Sequence, residues 1–357
     1  MEVLAGTGGS MLSRRIIWST LVLLFSLALR LYSQDEIKAN PLRIMFYNVE
    51  NLFDCYNDTL KNDDDFLPGG VMRWNGKRYN QKINSLYKTI VAAGEWTAPS
   101  IVGFCEVENR KVIEDLIYDT YLSNSSWGII HEDSPDERGI DVCLIFKKDL
   151  VRMIDYRYLI PSLENKREFL SRSVLYVRFE VLTDTLHVIV NHWPSRRGGV
   201  LAGEYLREAV SQMVRETADS ISDYNKGKAK IIIMGDFNCT PDDAVIVKIT
   251  RFGKSIGKKI PLSMINLTEK LSAMGFGTYR YKGVWEMIDQ ILVSEWLLNC
   301  PGGLYTSHEM FRVFKPDFLL RKDPNYPGSM PFSTYRGYRY QGGFSDHLPV
   351  LVDLGFR

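Results

Sequence analysis

The 357-residue sequence contains only five cysteines, and they are scattered along the chain. No C-x-x-C pair occurs, and no cysteine or histidine cluster has the spacing of a zinc site. Cys105, Cys143 and Cys239 lie within or beside apolar runs, so we interpret them as small core residues. The odd count leaves at least one thiol unpaired within the chain, and the alternative for the others is a disulfide formed in an oxidising compartment. A disulfide scaffold or a cysteine-based zinc centre does not fit this pattern.

An excess of charge of one sign is also lacking. Lysine and arginine number 44 against 43 aspartates and glutamates, which gives a formal net charge of +1. A nucleic-acid binder with a broadly basic surface is therefore not the first expectation, although a local basic patch is compatible with this balance. Hydrophobic residues make up 45% and charged residues 24%. This composition argues against a disordered, collagen-like or multi-span membrane protein.

One apolar run near the N-terminus has the size of a secretory signal and is short for a membrane span. Arg14 and Arg15 precede this run, residues 16–29, and small residues follow it around Ser33. We predict a signal peptide over residues 1–33, the alternative being an uncleaved membrane anchor. Export implies a secreted, periplasmic or cell-envelope location and no membrane span in the mature chain.

No Pro/Ser-rich linker or tandem repeat divides the remaining sequence. Apolar runs typical of strands occur at residues 44–49, 101–107, 142–146, 187–191, 231–234 and 290–293. Apolar residues recur at helical spacing around residues 79–90 and 206–221. Alternating strands and helices without a linker predict a single α/β domain over residues 40–357.

Two segments read as long loops, residues 54–78 and 315–343. The first is rich in aspartate and glycine, and the second is dense in proline, glycine, tyrosine and arginine. Long irregular segments in compact domains often cover a functional site, and the alternative is a solvated surface loop. Residues 335–340, with alternating tyrosine and arginine, could stack on bases or sugars.

Polar residues repeatedly stand where an apolar run ends or begins. Asn48, Glu106, His192, Asp236 and Asp289 each occupy such a position. Strand ends of open α/β sheets commonly build one crevice, so we expect these side chains to converge. Carboxylates, amides and imidazoles together would suit a hard divalent cation and a phosphate.

These residues belong to recognisable motifs in a definite order. The motifs are Asn48-Val49-Glu50-Asn51-Leu52-Phe53-Asp54, Glu106-Val107-Glu108, Asn191-His192-Trp193-Pro194, Gly235-Asp236-Phe237-Asn238 and Ser345-Asp346-His347-Leu348-Pro349. In this order they resemble the endonuclease/exonuclease/phosphatase family. The resemblance implies a four-layered α/β sandwich, in which two packed mixed β-sheets are flanked by helices. It also implies metal-dependent hydrolysis of a phosphoester.

Residue roles follow from the resemblance, position by position. Asn48, Glu106 and Asp346 match metal-site residues. Asp236 and Asn238 match the pair that orients and deprotonates the attacking water. His347 matches a phosphate-facing imidazole with Asp289 as its carboxylate partner, and His192 matches a second imidazole of the active site.

Elementary chemistry agrees with these roles. A phosphodiester anion repels a nucleophile, so the site must supply positive charge, and Mg²⁺ held by oxygen ligands does so. Mn²⁺ and Ca²⁺ are alternatives. An imidazole against Asp289 is biased towards its cationic form, which suits a charged phosphoryl transition state. Asp236 near a cation should be ionised and able to accept a proton from water.

Arg138, Asp141, Arg196 and Arg197 are candidates for substrate contact, with exposed or structural positions as the alternative. We therefore predict a secreted phosphoester hydrolase, first of all a phosphodiesterase or nuclease, which inverts the phosphate in one in-line step. The alternatives are a phosphomonoesterase or sphingomyelinase-like enzyme acting on a lipid, inositol or sugar phosphate, and a non-catalytic binding protein of the envelope. Nucleic acid is a candidate substrate, and no stable protein partner is implied.

Overall fold

The computed structural model describes residues 15–18, 41–95, 97–162, 171–196, 203–250 and 262–357. Most of the predicted signal peptide over residues 1–33 lies outside these ranges, and so does Arg197. Within the described ranges, none of the helices combines the length and the apolar character that crossing a bilayer requires.

Helices and strands alternate along the chain. The helices are α1 (Gly76–Ala93), α2 (Arg110–Tyr118), α3 (Glu204–Tyr224), α4 (Ala244–Thr250), α5 (Glu269–Ala273) and α6 (Glu295–Asn299). The strands are β1 (Leu42–Leu52), β2 (Ile101–Val107), β3 (Trp127–Ile130), β4 (Asp141–Lys147), β5 (Arg152–Leu159), β6 (Val174–Val181), β7 (Asp184–His192), β8 (Lys230–Asp236), β9 (Met264–Asn266), β10 (Tyr279–Tyr281), β11 (Val284–Glu286), β12 (Asp289–Ser294), β13 (Leu304–Tyr305), β14 (Phe311–Val313), β15 (Leu320–Lys322), β16 (Ser329–Pro331), β17 (Tyr335–Arg336), β18 (Arg339–Tyr340) and β19 (Val350–Phe356).

Two large mixed sheets form the centre of the fold. The first has the order β13-β19-β1-β2-β4-β3, and β14 also pairs with β19. The second has the order β5-β6-β7-β8-β12-β9. One parallel pair lies inside each sheet, β1 with β2 and β7 with β8. All other neighbours in the two sheets run antiparallel.

Strand alternation decides which side chains lie between the sheets. In β1, Ile44 and Phe46 enter the core between the sheets, whereas Met45 and Tyr47 face the helices outside. Successive residues of a strand point to opposite faces, so a strand covered on both faces must be apolar throughout. Residues 231–234 of β8 are such a case, and all four are fully buried.

Helices cover the outer face of each sheet. Helices α1 and α2 pack on the first sheet through apolar residues at helical spacing, among them Ile83, Leu86 and Ile113. Helices α3 and α4 pack on the second sheet, with Val214 and Ile246 in the same cluster. The order helix, sheet, sheet, helix confirms the predicted four-layered sandwich.

The two predicted long loops are partly structured. Residues 54–78 contain a short 3-10 turn at Asp64–Phe66 and run into α1. Residues 315–343 fold into two small hairpins, β15 with β16 and β17 with β18. Strands of two or three residues are too short for the period-two pattern that reveals longer ones, so sequence periodicity missed them. All five cysteines are free thiols, and Cys105, Cys143 and Cys239 are buried as expected.

Candidate active site

Strand register brings three predicted residues into one row. In the second sheet, His192 of β7 lies opposite Asp236 of β8, and Asp236 lies opposite Asp289 of β12. In the first sheet, Asn48 of β1 lies opposite Cys105 of β2, immediately before Glu106. The ends of these strands meet at one edge of the sandwich, as the strand-end pattern predicts.

Irregular backbone at the ends of β1 and β2 orients Glu106. The register between the two strands shifts after Asn48, and Glu106 itself has a left-handed φ of 63°. Its Oε2 accepts a hydrogen bond of 2.9 Å from the backbone N–H of Asn51, whose φ of 52° is also left-handed. Strained backbone of this kind is found where a functional side chain must leave the regular strand direction.

Asn48 takes a different orientation from the expected one. Its Nδ2 donates to Asp236 Oδ2 at 3.0 Å and faces Glu106 Oε1 at 3.3 Å. Its Oδ1 accepts the backbone N–H of Glu50 at 2.9 Å. Because that N–H needs an acceptor, the amide nitrogen must point towards the carboxylates. Asn48 therefore orients two acidic groups, and the expectation that its oxygen faces a metal does not agree with this geometry.

Asp236 is enclosed at the end of β8. It is 2% exposed, and its Oδ1 accepts the backbone N–H of Asn238 at 2.9 Å. Burial raises the pKa of Asp236 to about 7, although the nearby His347 opposes the rise. The strand ends at Asp236, and Asn238 lies in a left-handed turn, with its Nδ2 donating to the Trp193 carbonyl at 3.0 Å.

His347 and Asp289 form a close buried pair. The distance between His347 Nδ1 and Asp289 Oδ2 is 2.7 Å. Burial opposes a charge on the ring, but Asp289, with help from Asp346 and Asp236, outweighs it and raises the pKa of His347 well above its usual value. This direction favours the doubly protonated form of the ring. Its Nε2 lies 3.9 Å from Asp236 Oδ2.

His192 lies near two carboxylates, and its surroundings favour the neutral ring. Its Nε2 lies 3.8 Å from both Glu106 Oε1 and Asp236 Oδ2. Burial, reinforced by Arg172 and Arg138, lowers the pKa of His192 well below its usual value. Its buried Nδ1 has no hydrogen-bond partner within the described part of the chain.

The terminal Ser345-Asp346-His347 turn joins this group from the first sheet. Ser345 Oγ donates to the Asn48 carbonyl at 2.7 Å and accepts the backbone N–H of His347 at 3.1 Å. Asp346 lines the same cavity as Glu106. Burial raises the pKa of Asp346, and the charge of Glu106 adds to the rise although His347 opposes it.

These side chains surround one cavity of about 530 Å³. Its lining consists of acidic, basic and aromatic residues from both sheets and their loops: Asn51, Glu106, Arg138, Arg172, His192, Ser195, Arg196, Asp236, Asn238, Tyr279, Tyr281, Glu286, Ile288, Asp346 and His347. The Gly-Asp-Phe-Asn turn and the Ser-Asp-His turn thus lie on the same side of the molecule.

Two of the predicted substrate residues lie in this cavity. Arg138 Nη2 donates to Asn51 Oδ1 at 2.9 Å. Arg196 Nε donates to the Asn238 carbonyl at 2.7 Å, and its Nη2 contacts Asp243. Arg197 falls outside the described residues.

Asp141 lies outside the cavity lining. Its Oδ1 accepts the backbone N–H of Ser134, and its Oδ2 faces His131 Nε2 at 3.4 Å. Asp141 is therefore not in a position to contact a substrate bound in the cavity.

Sequence reasoning missed the third arginine of the cavity. Arg172 is 8% exposed, with its Nε 3.2 Å from Asp136 Oδ2 and its Nη1 donating to the Trp193 carbonyl. It stands ahead of β6 without a motif that would single it out. Tyr279 was also missed, and its ring packs 5.0 Å from the His347 ring.

The acidic side of the cavity fits a hard divalent cation. Glu106 and Asp346 are two partly exposed carboxylates that line one cavity, and the charge of Glu106 contributes to the raised pKa of Asp346, a repulsion that a cation would relieve. Burial also raises the pKa of the Cys105 thiol well above its usual value, so this neighbour of His192 and Asp236 stays neutral. A site with oxygen ligands and a protonated thiol favours a hard ion over a soft one.

Comparisons with known proteins agree with this architecture. A sequence model described as the Endonuclease/Exonuclease/phosphatase family matches residues 43–355. The catalytic domain of human Nocturnin with bound sulfate anion is 18% identical, covering 89% of this chain and 95% of that one with a TM-score of 0.52. D. rerio TDP2 complexed with single strand DNA product is 14% identical, covering 88% and 98% with a TM-score of 0.53.

A bacterial structure shares the same fold. The endonuclease/exonuclease/phosphatase from Bacteroides vulgatus is 13% identical, covering 88% of this chain and 99% of that one with a TM-score of 0.52. At such identities the likeness establishes the fold. No curated protein sequence matches the chain.

Proposed function

The chain belongs to the endonuclease/exonuclease/phosphatase family of metal-dependent phosphoester hydrolases, and from that premise we propose that it is a phosphodiesterase. The observation that supports this proposal is the arrangement of four side chains. His192, Asp236 and Asp289 lie opposite one another on adjacent strands, and His347 pairs with Asp289. A potential proton acceptor, Asp236, and a cationic donor, His347, face one another 3.9 Å apart in a buried cavity. Both groups line the same cavity, so a phosphoryl group bound there would be attacked by a water that Asp236 activates and would accept a hydrogen bond from His347.

Glu106 and Asp346 are the residues that would hold the divalent cation, and we propose Mg²⁺, with Mn²⁺ and Ca²⁺ as alternatives. Such an ion supplies positive charge that stabilises the phosphoryl oxygens and the leaving alkoxide. Asn48 contributes by donating from one amide nitrogen to both Glu106 and Asp236, which orients the two carboxylates.

Asp236 acts as the general base in the proposed step. Its Oδ1 accepts the Asn238 N–H and its Oδ2 accepts the Asn48 amide, so both oxygens are oriented. A carboxylate oxygen has a second lone pair, and that of Oδ2 would accept the proton of water. A positive charge near the carboxylate lowers its pKa and keeps it ionised at neutral pH. Asn238 would hold the same water, which attacks phosphorus in line with the departing oxygen.

The two imidazoles have different tasks in this proposal. His347 is cationic and held by Asp289, so its Nε2–H donates to an equatorial phosphoryl oxygen. His192 is neutral because burial and the arginines disfavour its charge. It donates one N–H from between Glu106 and Asp236 and adds a hydrogen bond without adding charge.

Three arginines around the cavity support a phosphodiester with further anionic groups. Arg138, Arg172 and Arg196 approach from different loops, as binding of successive phosphates requires. Nocturnin with bound sulfate anion and TDP2 with single strand DNA product are consistent with such a ligand. The near-zero net charge argues against tight duplex binding, so we propose a single-stranded or short substrate.

We further propose that the protein is exported, on the basis of the leader over residues 1–33. N-terminal sequencing of protein recovered from the cell envelope or medium tests this directly. A mature chain that retains Arg14 and Arg15 would contradict cleavage.

The activity is tested with EDTA-treated protein on two chromogenic esters. Bis-(p-nitrophenyl) phosphate should be hydrolysed when Mg²⁺ is restored, and p-nitrophenyl phosphate should be hydrolysed more slowly. Asp236→Asn serves as the inactive variant, and Asp149→Asn, an exposed aspartate in the turn after β4, is the matched control. Faster turnover of the monoester would favour a phosphatase, and no EDTA-sensitive turnover of either would favour a binding protein.

A further inference from the structure

A buried lysine stands behind the cavity. Lys82 of α1 is 1% exposed and does not line the cavity. Its Nζ donates to Thr334 Oγ1 and to the Phe344 carbonyl, each at 2.5 Å. Burying an ammonium group is costly unless it is hydrogen-bonded and compensated. None of the proposed catalytic steps uses this group, so its burial needs another explanation.

Glu50 also contacts the chain at Thr334. It follows the bulge at the end of β1 with a left-handed φ of 51°, and it is 7% exposed. Its carboxylate accepts the backbone N–H groups of Thr334 at 2.6 Å and Tyr335 at 2.9 Å. The strained backbone is what turns this side chain out of the strand and towards the segment.

Both side chains contact the segments that flank the β17–β18 hairpin, which we call its base. The two arms of that base are joined by the Phe344 N–H donating to the Phe332 carbonyl and the Gln341 N–H donating to the Thr334 carbonyl. Lys82 contacts one arm at Thr334 and the other at Phe344. Phe344 immediately precedes Ser345 and Asp346, so the lysine holds the main chain two residues before the metal-side carboxylate.

We propose that Lys82 and Glu50 are positioning residues that set the place of Asp346 and thereby the affinity of the site for its divalent cation. This inference rests on the proposed function, because it presupposes a cation held by Asp346. Groups that orient metal ligands without touching the metal commonly change metal affinity by about 10- to 100-fold when they are removed.

Calorimetric titration of the EDTA-stripped full chain with Mg²⁺ tests the proposal without relying on turnover. Lys82→Met should weaken Mg²⁺ binding by about 10- to 100-fold, whereas KM for bis-(p-nitrophenyl) phosphate at saturating Mg²⁺ should stay within about threefold. Lys77→Met, an exposed lysine at the start of the same helix, is the matched control and should bind Mg²⁺ as the unaltered protein does. Thermal melts in EDTA record the folding of each variant.

Thr334→Val keeps the proposal testable where Lys82→Met does not fold. It removes one acceptor of Lys82 and leaves the main-chain contact with Glu50, so a weakening of about three- to tenfold is expected. Equal Mg²⁺ affinity of the variants and the unaltered protein would overturn the inference, even with a lowered melting temperature, because the pair would then serve stability alone. An unaltered protein that binds no Mg²⁺ would overturn both this inference and the proposed function.

Discussion

Replacing Asp289 by asparagine removes the negative charge against His347 while keeping the size of the side chain. Asp289 is 0% exposed, and its Oδ2 lies 2.7 Å from His347 Nδ1. Burial by itself lowers the pKa of His347, and Asp289 is the largest of the charges that raise it. In the variant, burial is no longer outweighed to the same extent, so the ring loses its proton at lower pH.

The expected size of the effect follows from this buried pair. Removing one partner of a buried charge pair costs about 3 to 5 kcal/mol, and a hydrogen bond to a charged group contributes about 1.5 to 3 kcal/mol. A loss of about 3 to 4 kcal/mol from transition-state stabilisation corresponds to a decrease in kcat of about 10²- to 10³-fold. Because the protonated ring is the active form, the remaining activity should decline at lower pH than in the unaltered enzyme.

The assay is kcat for bis-(p-nitrophenyl) phosphate at saturating Mg²⁺, measured from about pH 5 to about pH 9, across the range in which histidine titrates. Asp149→Asn makes the same chemical change on the surface and should leave the profile unaltered. If Asp289→Asn keeps kcat within about threefold and its alkaline limb does not move, the roles given to His347 and Asp289 are wrong.

Asp236→Asn should lower kcat by about 10³-fold or more. The melting temperature should change little, since the amide oxygen still accepts the Asn238 N–H. A kcat near that of the unaltered enzyme would show that Asp236 does not activate the attacking water. Arg172→Gln should raise KM about tenfold, which corresponds to about 1.4 kcal/mol of binding free energy, and should leave kcat within about threefold. An unchanged KM at low salt would contradict a contact between Arg172 and the substrate. Burial lowers the pKa of His187 to about 4, so between about pH 6.5 and pH 4 the unfolded chain binds a proton that the folded chain does not. Folding stability should therefore fall by about 3 kcal/mol as pH drops through that window; His187→Phe should remove this slope in urea unfolding, and an identical slope in both proteins would refute the assignment.

The sandwich itself was predictable because its signals are local. A run such as residues 231–234, with no polar face, is typical of a strand covered on both sides, and the structure has it between the inner core and α3. The helical spacing around residues 79–90 likewise identified α1. The short hairpins within residues 315–343 were not predictable, because two or three residues carry no measurable period.

The candidate site was only partly visible in the chain. Residues of the recognised motifs stand out because their chemical types are unusual beside apolar strands. Arg172 does not stand out, because its place in the cavity depends on Asp136 and on the Trp193 carbonyl, which are distant in sequence. The orientation of Asn48 was equally inaccessible, because one backbone N–H, that of Glu50, decides which end of the amide faces the carboxylates.

The sequence alone was enough to predict the family resemblance, the reaction class and the alternation of strands and helices. These features depend on side-chain type and spacing within short segments of the chain. The geometry of the site depends on strand pairing and on the packing of the loops. They placed His192, Asp236 and Asp289 in one row, joined the terminal turn to it from the other sheet, and gave Lys82 its buried partners. Interactions between titratable groups depend on distances of a few ångströms, and these distances exist only after residues far apart in sequence have packed together.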